Sequence, residues 1–118
     1  MIKYKAHFTQ IGPMVSEFLE HNILVIFGAS APDELAEFAV IHDGEELVAP
    51  IQAGDTVLIG DEPFKVLAVG EVANINLANL GHLVLKCNGQ DAPEMPGDFC
   101  LETKPLPQIT VGTTLVIS

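Results

Sequence analysis

Hydrophobic and polar residues alternate at the start of the chain, in the segment IKYKAHFT at positions 2–9. The apolar members of this pattern fall on one face of an extended chain: Ile2, Tyr4, Ala6 and Phe8. A period of two residues is typical of a β-strand that buries one face and exposes the other. The segment therefore predicts a half-buried strand.

Short apolar runs that end at glycine, proline or asparagine predict further strands along the chain. The run ILVIFG at 23–28 ends at a glycine, and the runs at 56–59 and 64–69 flank the turn signal GDEP. Two β-rich runs around a tight turn predict a hairpin. The later runs HLVLKCNG, FCLET and TTLVIS predict the last strands.

Three segments between the predicted strands have helical features. An early proline in IGPMVSEFLEHN, at 11–22, predicts a short helix or a loop. Ser30, a proline and two acids favour one or two helical turns near 32–37, followed by a short strand that ends at His42. The segment at 71–81 fits either a helical turn or an irregular connection.

The spacing of these elements predicts the fold class. Many short strands separated by glycine and proline turns favour an all-β fold, namely a small closed or nearly closed β-barrel of about seven strands with one or two short helices. Closure would protect the hydrophobic strand edges from aggregation. The 118 residues suit a single domain, 1–118, that buries roughly two-thirds of the surface of its unfolded chain.

Charge and hydropathy restrict the partners and the location. Sixteen acidic residues oppose five basic ones, all lysine, for a formal charge of −11. Because phosphate neutralisation needs clustered basic residues, no nucleic-acid partner is expected. The apolar runs are shorter than the ~18 residues of a membrane helix. The first residues do not resemble a signal peptide, so a cytoplasmic location is expected.

Familiar catalytic motifs are missing from the sequence, which has no GxGxxG, P-loop, GxSxG or HExxH pattern. Cys87 and Cys100 lie apart without a CxxC pattern. Cysteines of this kind in a protein that is not secreted are expected to be reduced and to pack as small hydrophobic residues. The candidate chemistry therefore rests on histidine.

Two of the four histidines adjoin both a predicted strand and a turn or loop signal. His42 closes the run FAVIH directly before Asp43-Gly44, and His82 opens HLVLK directly after Gly81. Burial lowers the pKa of a histidine because it disfavours the cation, and a neutral imidazole can act as a nucleophile or a metal ligand. The neighbouring glycines leave room for a bulky group. A hydrogen-bonded structural role is the alternative for each ring.

Three segments resemble the glucitol/sorbitol-specific IIA component of the bacterial phosphotransferase system. They are FAVIHDGEEL at 38–47, the hairpin region from GDTVLIG to LKCNG at 54–89, and ITVGTTLVIS at 109–118. Within them, the most informative pieces are IH after an acidic-aromatic pair, AVG, and NL followed by LGH. The order and spacing of these pieces over nearly the whole chain support the resemblance.

The resemblance implies a closed β-barrel and a phosphoryl carrier that needs neither a cofactor nor a metal. A phosphoryl group would pass from the phosphohistidine of the general carrier protein HPr to His42. It would then pass to the IIB component. From there it would reach a hexitol that the IIB/IIC membrane components take up, in glucitol/sorbitol uptake. His82 matches the histidine of the family's LGH segment, and by analogy it would orient His42 or hydrogen-bond the phosphoryl oxygens.

Phosphoryl transfer spreads charge over three equatorial oxygens, so catalysis depends mainly on positioning and electrostatics. Four apolar side chains are candidates for a collar that excludes water: Val40, Ile41, Leu80 and Leu83. Because the chain lacks arginine, backbone N–H groups near the two glycines or a basic partner would have to stabilise the phosphoryl oxygens.

Acidic residues are frequent around His42 and are candidates either for docking a basic partner or for a solvated rim: Asp33, Glu34, Glu37, Asp43, Glu45 and Glu46. Two other functions remain open from the residues alone. One is a barrel that binds a metal or small ligand through His42, His82 and Asp43 without covalent chemistry. The other is an interaction module in which the histidines are inert.

Overall fold

Alternating apolar positions form the strands of the computed structural model. The residues that it describes, 1–44 and 46–118, form eight strands. These are β1 (Tyr4–Ile11), β2 (Ile23–Gly28), β3 (Val40–His42), β4 (Thr56–Ile59), β5 (Glu62–Val69), β6 (Leu83–Lys86), β7 (Asp98–Leu101) and β8 (Thr114–Ile117).

The strands close into a barrel in the order β1-β3-β2-β6-β7-β5-β4-β8, and β8 pairs with β1. The β2–β3 and β6–β7 pairs are parallel, whereas the other pairs are antiparallel. The predicted small all-β barrel is thus confirmed, with eight strands rather than about seven in the described part of the chain. The predicted hairpin is formed by β4 and β5.

Three short helices connect strands in the described residues, one more than the upper number predicted: α1 (Val15–Leu19), α2 (Asp33–Ala36) and α3 (Ala73–Leu80). The first two occupy segments with predicted helical features. The third resolves the ambiguous segment at 71–81. It ends at Gly81, which has a left-handed φ of 63° and donates its N–H to the Leu77 carbonyl at 3.0 Å. Glycine adopts this conformation without a steric penalty.

The barrel interior is apolar and closely filled. Phe8, Phe64 and Phe99 are almost fully buried within it. Burying a side chain of this size stabilises the fold by about 1.5–3 kcal/mol. Cys87 and Cys100 are free and buried, as expected, and burial raises the pKa of the Cys87 thiol to about 11. A smaller apolar cluster lies on the outer side of the wall, around Phe27, Ala39 and Ile41.

Strand register places His42 on the inner face of the barrel. His42 is opposite Phe8 of β1 and opposite Gly28 of β2, and Phe8 belongs to the core. Paired positions on adjacent strands point to the same side of a sheet. No helix formed by residues 1–44 and 46–118 is long and apolar enough to cross a lipid bilayer.

Candidate functional site

The His42 ring lies at one end of the barrel interior, where the three-residue strand β3 stops. The residue is only 2% exposed. The Tyr4 ring packs edge-on against it, with 5.8 Å between ring centroids and an interplanar angle of 85°. The ring therefore belongs to the end of the core, although it also lines an open cavity.

Both ring nitrogens of His42 have backbone partners. Nε2 lies 2.7 Å from the Gly81 carbonyl oxygen, and the Gly44 N–H donates to Nδ1 over 2.7 Å. A carbonyl oxygen only accepts and a backbone N–H only donates. Nε2 must therefore hold the proton of a neutral ring, whereas Nδ1 presents the lone pair.

The surroundings keep this imidazole uncharged. Burial lowers the pKa of His42 below its ordinary value of 6.5, because the cation loses hydration. The Gly81 carbonyl and the Asp43 carboxylate both favour the cation and oppose this effect in part. Since the net shift is downward, the neutral form that a nucleophile requires predominates at pH 7.

Three glycines allow backbone segments to approach one another and the His42 ring at short distances. A Cβ at Gly81 would lie 2.9 Å from His42 Nε2, and one at Gly44 would lie 2.6 Å from His42 Nδ1. A Cβ at Gly28 would lie 2.8 Å from the Leu80 carbonyl oxygen. These distances exclude a side chain at all three positions without local movement. The close approach of the end of α3 to β2 depends on Gly28 and Gly81, and the approach of the segment after β3 to the His42 ring depends on Gly44.

The cavity above His42 has a volume of about 280 Å³. It is bounded by the ends of β1, β2 and β3, by the segments that follow β2 and β3, and by the last turn of α3. Its described lining residues are Tyr4, Gly28, Ala29, Ser30, His42, Asp43, Gly44, Leu77, Ala78, Leu80 and Gly81. No lysine lines the cavity among these residues, so hydroxyl and backbone N–H groups are its donors.

Asp43 is held at the rim by β1. Its carboxylate accepts the N–H of His7 at 2.7 Å, and its own N–H donates to the His7 carbonyl at 3.1 Å. The backbone hydrogen bond from His7 lowers the pKa of the Asp43 carboxyl. Asp43 is exposed, so it places a negative charge at the mouth of the cavity.

His82 lies on the opposite side of the barrel wall. Its Nδ1 donates to the Ile26 carbonyl oxygen at 3.0 Å, and its ring stacks on Phe27 with 4.0 Å between centroids. Phe27 is paired with Ile41 and belongs to the outer cluster. His82 therefore does not hydrogen-bond His42 and is not among the described residues that line the cavity.

The two histidines are nevertheless linked through the backbone. Gly81 accepts the Nε2 proton of His42 through its carbonyl, and His82 is the next residue along the chain. The His82 N–H also donates to the Asn76 carbonyl at the end of α3, over 3.3 Å. The structure brings together His42 and the segment that contains His82, rather than the two rings.

The apolar wall of the cavity differs from the predicted collar. Of the four candidates, Leu80 lines the cavity, Val40 and Leu83 lie in the core, and Ile41 lies in the outer cluster. Tyr4 and Leu77 also line the cavity and were not predicted from the sequence. The alternation along β1 predicted that Tyr4 is buried. It could not predict that Tyr4 lies beside His42, because this depends on how strands that are distant in the sequence pair with each other.

A metal site does not form from the three residues considered for one. The Asp43 carboxylate faces the His7 backbone and His82 lies on the outer face. Within 1–44 and 46–118, no group of three or more histidine, cysteine, aspartate or glutamate residues is placed to hold a metal ion.

The acidic residues near His42 are exposed where the structure describes them: Asp33, Glu34, Glu37, Asp43 and Glu46. Glu45 lies outside the described residues. The two remaining histidines, His7 and His21, are also exposed. Among the described residues, Asp43 is the acid that lines the cavity, and the other acids lie elsewhere on the exposed surface.

Comparisons with known proteins show the family to which the chain belongs. Residues 3–116 match the sequence model of the family described as the PTS system glucitol/sorbitol-specific IIA component. The chain is 35% identical over 94 residues to the glucitol/sorbitol-specific EIIA components of Shigella flexneri and Escherichia coli (strain K12), which covers 80% of this chain and 76% of theirs. It also resembles the crystal structure of a PTS system IIA component from Enterococcus faecalis V583, with a TM-score of 0.79 and 30% identity over 94% of this chain and 96% of that one.

Proposed function

Since this chain belongs to the glucitol/sorbitol-specific IIA family of the phosphotransferase system, we propose that His42 is its phosphoryl-carrying residue. His42 receives the group from the phosphohistidine of HPr and passes it to the IIB component. The observation that supports this role most strongly is a neutral imidazole, with one defined lone pair, at the floor of an open cavity.

The lone pair assigns the attack to Nδ1 of His42. The phosphorus–nitrogen bond of the donor breaks, and its electron pair returns to the donor ring. The Nδ1 lone pair forms the new bond from the opposite side of phosphorus, with attacking and leaving nitrogens in line. Each ring keeps the proton on its other nitrogen, so the positive charge of the phosphorylated ring moves with the phosphoryl group.

The Gly81 carbonyl supports the charge that develops on the His42 ring. It accepts the Nε2 proton at 2.7 Å and lies at the C-terminal end of α3. The C-terminal end of a helix has partial negative charge and favours a cation. This arrangement stabilises the phosphorylated imidazolium more than the neutral ring, which is the difference that lowers a barrier.

The Gly44 N–H has to change partners during transfer. It donates to Nδ1 in the unphosphorylated protein. A phosphorus atom bonded to Nδ1 would take that place, and the N–H would then donate to a phosphoryl oxygen. Backbone N–H groups that meet developing negative charge are a common source of transition-state stabilisation.

The partners supply what the cavity lacks. No lysine is among the described residues that line the cavity. The exposed Asp43 carboxylate at its mouth repels an added phosphate, whereas the exposed acids near His42 in the sequence attract a basic protein surface. A basic face on HPr or IIB would screen these carboxylates while it is docked. Leu77 and Leu80 exclude water from the bound group.

Membership of the family supports a proposal for the wider pathway. The phosphoryl group continues through the IIB/IIC membrane components to a hexitol of the glucitol/sorbitol type, at the cytoplasmic side of the membrane. His82 acts as a positioning residue that fixes the Gly81 carbonyl from the outer face of the wall.

Radioactive phosphoenolpyruvate, Enzyme I and HPr provide the test. We expect wild-type protein to take up acid-labile, alkali-stable phosphate, and phosphorus NMR to show an Nδ1 phosphohistidine. His42→Gln should take up none, whereas His21→Gln, which removes an exposed histidine, should label like wild type. Equal labelling of His42→Gln and wild type would contradict the proposal.

A further inference from the structure

We propose that the Tyr4 hydroxyl is a phosphoryl-binding group that donates a hydrogen bond to an oxygen of the phosphoryl group on His42. This inference rests on the proposed function of His42. It assigns a role to a residue at the start of β1, far from His42 in the sequence.

The position of Tyr4 supports this role. Its ring packs edge-on against the His42 ring, and the residue lines the same cavity. Its hydroxyl lies so close to Gly44 that a Cβ there would collide with it. Because the Gly44 N–H faces Nδ1, the hydroxyl and the reacting nitrogen meet at the same corner of the cavity.

The hydroxyl makes no hydrogen bond with another group of residues 1–44 and 46–118, although Tyr4 is only 3% exposed and its hydroxyl lies beside Gly44 at the cavity. The hydroxyl is not fully enclosed by protein either. In the described residues, the fully enclosed side-chain polar atom without a partner is Asn88 Nδ2. A buried phenol normally finds a partner for its hydroxyl. The hydroxyl of Tyr4 is therefore directed at the cavity, where a ligand can complete its hydrogen bonding.

The chemistry of the group also suits a donor. Burial and the nearby Asp43 carboxylate both raise the pKa of Tyr4, so the phenol stays protonated at neutral pH. No lysine competes for the phosphoryl oxygens in the described lining. A neutral donor binds the phosphoryl group without making the buried pocket cationic.

Tyr4→Phe removes the hydroxyl and keeps the ring that packs on His42. Thr9→Val is the matched control, because it removes a hydroxyl on the same strand that donates to the Ile41 carbonyl outside the cavity. We expect Tyr4→Phe to accept phosphate from phospho-HPr about tenfold more slowly at saturating donor, the loss of one hydrogen bond to a charged group. The KM for phospho-HPr and the melting temperature should stay close to wild type, and Thr9→Val should transfer at the wild-type rate.

The outcomes separate this inference from the function on which it rests. A wild-type transfer rate in Tyr4→Phe overturns the role of Tyr4 while leaving His42 as the carrier. Failure of the wild-type protein to label overturns both. A second measurement does not depend on the folding of Tyr4→Phe. Because the chain has one tyrosine, wild-type protein labelled with fluorotyrosine gives a single fluorine NMR line, which reports on Tyr4. That line should shift on phosphorylation, and an unchanged line would overturn the hydrogen bond.

Discussion

His42 and His82 occupy opposite faces of the same part of the barrel wall. His42 points inward, bonds two backbone groups and lines a cavity. His82 points outward, bonds the Ile26 carbonyl and stacks on Phe27. Both follow the same local pattern of a strand end beside glycine. Strand register decides which face of the barrel wall each ring occupies, and this difference separates the chemical role proposed for His42 from the positioning role proposed for His82.

The comparison also shows how the outer face can affect the inner one. Gly81 lies between the two histidines, with its carbonyl on His42 and its position fixed by the end of α3. A change at His82 therefore reaches His42 only through the backbone. The effects of substitutions should decrease in the order Gly81, His82 and the pH-dependent charge of His42.

Gly81→Ala should have the largest effect on stability. The new Cβ would lie 2.9 Å from His42 Nε2 and 3.0 Å from the Gly28 backbone, at a φ of 63°. The positive φ and the collision together should lower the free energy of unfolding by about 2–4 kcal/mol. Urea denaturation measures this change.

Gly112→Ala is the control for Gly81→Ala. Gly112 also has a positive φ, of 93°, but a Cβ there would meet no atom within 4 Å. Its cost should be limited to backbone strain, about 1–2 kcal/mol. Equal costs for the two substitutions would contradict the close packing of Gly81 on His42.

His82→Ala should have an intermediate effect. It removes the hydrogen bond to Ile26 and the stack on Phe27, which together should lower the free energy of unfolding by about 1–3 kcal/mol. Phosphoryl transfer to His42 should become slower without being abolished, because Gly81 is then less firmly placed. Stopped-flow transfer from phospho-HPr measures the rate.

His82→Phe separates the two contacts of His82. It keeps the aromatic stack on Phe27 and loses the hydrogen bond to Ile26, so its stability should lie between those of His82→Ala and wild type. A folded His82→Ala protein that accepts no phosphate at all would assign His82 a direct chemical role and contradict the comparison.

The smallest effect should come from the charge of His42. Its folded pKa lies below the ordinary value of 6.5, so the unfolded chain binds a proton first as the pH falls. Stability is therefore unaffected well above pH 6.5 and decreases below it. The decrease should reach at most about 1.4 kcal/mol for each pH unit between the two pKa values.

His42→Gln isolates this dependence, because the other histidines remain in both proteins. Urea denaturation of the two proteins at about pH 7.5 and about pH 5.5 measures the difference. Wild type should lose more stability than His42→Gln on acidification. Equal losses in the two proteins would indicate that the His42 pKa is not lowered by folding.

Local patterns in the sequence predicted most of the barrel but less of the site. Alternation along β1 and the turn between β4 and β5 predicted those strands directly. The parallel pairing of β2 with β3 could not be predicted, because α2 separates the two strands in the chain and no local pattern sets how they pair. That pairing decides that His42 faces the cavity with Tyr4 and that Ile41 faces outward, so the collar was only partly predicted.

Mapping the phosphorylated peptide tests the central claim most directly. Cleavage after glutamate places the four histidines in four peptides: 1–17, 21–34, 38–45 and 72–94. After brief incubation with phosphoenolpyruvate, Enzyme I and HPr, and digestion under alkaline conditions, phosphate should be found on the peptide 38–45, which contains His42. Phosphate on the peptide 72–94, which contains His82, and none on 38–45 would contradict the account.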